Sequence, residues 1–129
     1  MKQSIANITL LVDDYDKAIK FYTEIMDFDL VVDTDLGNGK RWVTIAPKGG
    51  NGCCLLLAKA VGDQQINSIG KQAGGRVFLF LLTDNIERDH NKMKDSGIEF
   101  TSPLRKELYG TVAVFKDVYG NLWDLIQPL

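Results

Sequence analysis

The chain has 129 residues, 45% hydrophobic and 25% charged, with 15 basic against 17 acidic side chains and a net charge of −2. That apolar content excludes a disordered chain, the modest glycine and proline exclude a collagen-like or linker composition, and the charge balance argues against a nucleic-acid-binding module, which needs a concentrated positive field. Globular scaling buries roughly two-thirds of an extended surface of about 21,000 Å², enough for one core, or two half-domains sharing one, but not for two independent domains.

The first apolar run, Ile8 to Val12, is too short for a secretory signal, and no stretch reaches the roughly 18 apolar residues of a membrane span. A strand is expected near residues 4–12, ending at Asp13-Asp14, where a carboxylate can cap a helix. From Tyr15 the apolar positions Tyr15, Ala18, Ile19, Tyr22, Ile25 and Met26 recur at helical spacing and mark one buried face. Leu30, Val32 and Thr34 then alternate as a strand does, and Arg41 to Ala46 predicts another. The turn Lys48-Gly49-Gly50-Asn51-Gly52 leads into a strand over Cys53 to Ala58. Cys53 and Cys54 are neighbours, so they cannot staple distant segments and read as free thiols of a cytoplasmic protein. Val61 to Gly75 is polar and glycine-rich, a connector with a short helix around Gln64 to Ile69. Beyond it come a strand over Arg76 to Thr83, a helix over Asn85 to Ser96 stopped by Gly97, and strands near 98–101, 111–116 and 122–127.

The two halves repeat. At an offset of 70, Ile8-Thr9-Leu10-Leu11-Val12-Asp13-Asp14 matches Phe78-Leu79-Phe80-Leu81-Leu82-Thr83-Asp84, Phe28-Asp29-Leu30 matches Ile98-Glu99-Phe100, and Gly50-Asn51 matches Gly120-Asn121. Each unit reads as strand, helix and three strands. The expectation is a single α+β domain over 1–129, with units of about 1–60 and 75–129 and a connector at 61–74. Two βαβββ units on so short a chain bury their sheets by packing together, as paired curved sheets with helices outside and a concave cleft within.

The repeat resembles the vicinal-oxygen-chelate superfamily of glyoxalase I, bleomycin- and fosfomycin-resistance proteins and extradiol dioxygenases. The opening Val12-Asp13-Asp14-Tyr15-Asp16-Lys17-Ala18-Ile19-Lys20-Phe21-Tyr22 carries the likeness, as does the closing run from Tyr109-Gly110-Thr111 to Leu122-Trp123-Asp124-Leu125. The resemblance implies a homodimer and a divalent metal held by His and Glu on the first and last strands of each unit. Those slots fall on Asn7, on Cys54 or Leu56, on Val77 and on Asp124. Such a set makes a poor metal site, because Val77 offers no donor, Asn7 is a weak neutral ligand and Cys54 would first have to ionise. The one histidine, His90, sits on the second helix in phase with Ile86 and Met93, where packing explains it.

Asp124 is the candidate catalytic residue: alternation puts it with Leu122 and Ile126 on the face expected to line the cleft. A carboxylate there finds a partner or takes up a proton, so it suits a general base or a hydrogen-bond anchor. The structural alternative ties it to Arg41, Arg76 or a backbone amide. Asn7 and Thr9 add polar groups, and Trp42, Phe80, Tyr109, Phe115 and Trp123 are candidate aromatic walls. No G-x-S-x-G, GxGxxG, Walker or C-x-x-C motif occurs. The expected function is small-molecule binding with no metal or other cofactor, no nucleic acid and no membrane. Two alternatives stand beside it: a lyase or dioxygenase with an atypical metal site around Asp124, and an interaction module with a filled cleft.

Overall fold

Asp14 caps the first helix in the computed structural model, which describes residues 1–129: its carboxylate accepts a hydrogen bond from the Lys17 amide at 3.0 Å. Helix α1 (Tyr15–Lys20) follows strand β1 (Asn7–Val12) and runs on as a π-helical turn over Phe21–Ile25. Strands β2 (Asp29–Gly37), β3 (Lys40–Ala46) and β4 (Cys54–Lys59) and helix α2 (Gly62–Ser68) complete the first unit, Met1–Ile69. The four strands lie in the order β1-β4-β3-β2, with β1 parallel to β4 and the other pairs antiparallel. Register places Leu10 beside Leu57 and Val43 opposite Leu57, and all three are buried on the face toward α1, together with Ala18 and Tyr22.

The second unit, Gly70–Leu129, repeats this plan with β5 (Val77–Leu82), α3 (Ile86–Asp95), β6 (Arg105–Glu107), β7 (Gly110–Lys116) and β8 (Leu122–Pro128). Its order is β5-β8-β7-β6, again with one parallel pair, β5 and β8. Asn85 caps α3 by accepting from the Arg88 amide at 3.0 Å, and Gly97, at φ 93°, lets the chain leave the helix. The fold is therefore α+β, two four-stranded mixed sheets that stay open, each built as βαβββ. The two units divide between Ile69 and Gly70. No helix is long and apolar enough to cross a membrane.

Three details differ from the expectation. The strand expected at 98–101 is reduced to a single bridge between Phe100 and Phe115, and the fourth strand of the sheet is β6 instead. β6 reads Arg-Lys-Glu, an exposed edge whose charges give no apolar alternation to recognise. The helix in the connector starts at Gly62 rather than Gln64. The offset of 70 also fails within the second sheet. Asn7 pairs with Cys54, but Val77 pairs with Leu122, two residues short of the offset, and a bulge between Val77 and Leu79 slips the register by one more. Asp124 consequently stands opposite Phe80.

Candidate functional site

Strand alternation gives the first sheet one face for α1 and one open face. Asn7 beside Cys54, Thr9 beside Leu56, and Trp42 opposite Thr34 share the open face. Trp42 is 42% exposed, unusual for the largest apolar side chain. Next to it lies a groove of about 760 Å³, whose walls include Trp42, Leu36, Leu56, Ala58 and Val61. Beneath the groove, Arg41 is held as a fork: Nε and Nη2 donate to Asp33 at 3.1 and 2.7 Å, and Nη1 donates to Asp16 at 2.8 Å. Its guanidinium also lies 5.2 Å from the Tyr15 ring centre. Hydrogen bonding to Arg41 holds the Asp33 carboxyl below the usual aspartate range.

In the second sheet the open face carries Asp124, flanked by its register partners Phe80 and Val114. Asp124 is buried, whereas Phe80 is largely exposed. The Oδ1 atom of Asp124 is enclosed and has no hydrogen-bond partner. Burial pushes this carboxyl upward, and the nearby Arg105 guanidinium pulls it part of the way back. The cation facing Asp124 is thus Arg105, and not Arg41 or Arg76. It was missed because it belongs to β6, the strand that charge disguised. Arg105 is shared, since its Nε donates to Glu107 at 2.9 Å. Tyr109, in the turn between β6 and β7, is exposed.

The remaining candidates lie elsewhere. Val77 stands at the bulge of β5. Phe115 and Trp123, expected as aromatic walls, are register partners on the opposite face and are buried toward α3. The alternation that opens Asp124 turns Trp123 inward. Their rings stack at 5.8 Å, and Phe100 and His90 extend the series at 5.6 and 4.3 Å. Burial, aided by Lys94, holds the His90 imidazole below its ordinary range.

The family model for the Glyoxalase/Bleomycin resistance protein/Dioxygenase superfamily matches residues 4–125. The chain belongs to this superfamily. An uncharacterised protein of Shewanella frigidimarina is 56% identical over 128 residues, covering 98% of this chain and 95% of that one. Among solved structures, UcmS2 is similar with a TM-score of 0.84 at 28% identity, covering 98% of each chain. TnmS3, an antibiotic binding protein from Streptomyces sp. CB03234, has a TM-score of 0.79 at 30% identity, covering 100% of this chain and 99% of that one.

The superfamily's metal does not fit the residues that the resemblance assigns to its slots. Asn7 supplies a neutral amide, Val77 no donor at all, and Cys54 a thiol, leaving Asp124 as the one anionic oxygen ligand. No group of three or more His, Cys, Asp or Glu side chains comes together to hold an ion.

Proposed function

We propose that this superfamily member binds a small, apolar or partly aromatic molecule reversibly, without a catalytic metal. The observation that carries the reading is the groove beside Trp42, within the 300–1,000 Å³ range typical of small-molecule pockets. The likeness to an antibiotic binding protein at 30% identity supports it, as do slots poor in metal donors. The proposed ligand contacts are, in the first unit taken by itself, Asn7, Thr9, Trp42 and Cys54, and, in the second taken by itself, Phe80, Tyr109 and Asp124. Asp124 would anchor a donor group of the ligand through its carboxylate.

The same carboxylate favours the competing reading, a lyase or dioxygenase with an atypical metal at Asp124. One experiment separates the two. Thermal-shift titration with a panel of aromatic compounds should find stabilising ligands whose effect falls at least fivefold in Trp42→Ala or Asp124→Asn. Stoichiometric Zn²⁺, Mn²⁺, Fe²⁺ or Ni²⁺ in purified protein, lost in Asp124→Ala, would overturn the metal-free reading.

The proposal includes a homodimer in the cytoplasm. The edge strand β2 is exposed along its whole length and carries Leu30, Val31, Val32 and Leu36, an apolar edge that a second copy would cover. Cys53 and Cys54 are free thiols, which suits a reducing compartment.

A further inference from the structure

The groove exists because two strands part. β3 and β4 pair only across Val43–Ile45 and Leu55–Leu57. Beyond Val43, β3 continues to Lys40 bound only to β2, and beyond Leu57, β4 continues to Lys59 bound only to β1. A side chain props this fork: the Tyr15 hydroxyl oxygen accepts from the Arg41 amide at 3.2 Å, so that N–H needs no partner on β4. The gap is therefore built into the ladder, with its polar edge already satisfied.

Charge around the fork is one-sided. Its lining contains Lys40, Arg41 and Lys59 and no acidic residue. Arg41 is neutralised by Asp33 and Asp16, but neither lysine is in an ion pair. Leu36 and Val61, both largely exposed, stand with Trp42 around the same opening. An apolar slot with two unmatched ammonium groups at its rim selects a flat apolar body bearing negative charge.

We propose that the fork between β3 and β4 binds a planar aromatic anion, its ring against Trp42 and its charge toward Lys40 and Lys59. This rests on the small-molecule reading and names the locus and class of its ligand. Isothermal titration with 2-naphthoate and with 2-naphthalenemethanol, the neutral compound of the same ring system, tests it. The acid should bind more tightly than the alcohol, and the difference should shrink as salt rises from 50 to 500 mM. Lys40→Gln/Lys59→Gln should weaken the acid by about three- to tenfold and the alcohol by less than about twofold. Ala58→Phe, which fills the slot, should abolish both; the exposed lysine changes keep the test open if that variant fails to fold. Equal affinity for acid and alcohol, or a double lysine variant that binds the acid normally, overturns the proposal. So does failure of both naphthalene compounds, whereas the broader binding reading falls only when the wider compound panel is also silent.

Discussion

Asp124 carries the clearest electrostatic cost in the chain. Burial raises its pKa above the ordinary 3.8, so in the window between 3.8 and the raised value the folded state binds more protons than the unfolded one. Stability therefore falls as pH rises through that window. Asp124→Asn should raise the neutral melting temperature by about 1–4 °C and give no gain below about pH 3.8, measured by calorimetry across pH. His90 behaves in the opposite sense. Its pKa is depressed by burial and by Lys94, so below about 6.5 the unfolded chain takes up the proton first and stability declines as pH falls. Urea midpoints at pH 7.5 and 5.5 should separate in the natural protein and separate less in His90→Gln. Asp124 was legible from alternation alone, because one strand fixes its face. Arg105 was not, since its approach depends on a cross-strand register that no local pattern encodes.

The first helix cap, the second helix stop and the apolar stripes could be read because they are local: Asp14 and Gly97 each act within a turn of their own position. β6 and the β5 bulge could not, because an all-charged edge and a slipped register are decided by neighbouring strands. The aromatic residues divide by the same logic. Phe115 is fully buried between Phe100 and Trp123, so Phe115→Ala should cost about 3–5 kcal/mol in denaturant unfolding. The β7–β8 ladder depends on Gly110, where a Cβ would collide with the Gln127 carbonyl. Gly110→Ala should destabilise by roughly 1–3 kcal/mol, read from the same unfolding curves. The closing turn is a further local device: Asp117 accepts from the amides of Tyr119 and Asn121, both at 2.9 Å, and from Asn121 Nδ2 at 2.8 Å. Part of what makes the C-terminal run resemble its family is thus a hydrogen-bonded turn.

The proposed association belongs to the scale of the whole molecule, where sequence patterning shows least. An edge strand with exposed apolar residues reads along the chain as an ordinary buried one, and β2 differs from β3 only once neither of its faces is found covered. Sedimentation velocity at micromolar concentration should show a dimer, and Val31→Lys, on the exposed edge, should shift it toward monomer by at least tenfold in Kd. A monomer at every concentration would remove the dimer from the proposal. The structure also sets one tryptophan in each unit, in contrasting surroundings: Trp42 meets solvent, while Trp123 is 3% exposed. The chain therefore carries two intrinsic optical labels of different colour, a red-emitting one in the first half and a blue-emitting one in the second. Single-tryptophan versions turn ordinary emission into a half-by-half record of unfolding. Coincident curves from both labels would mark a single cooperative transition, and separated curves one for each half.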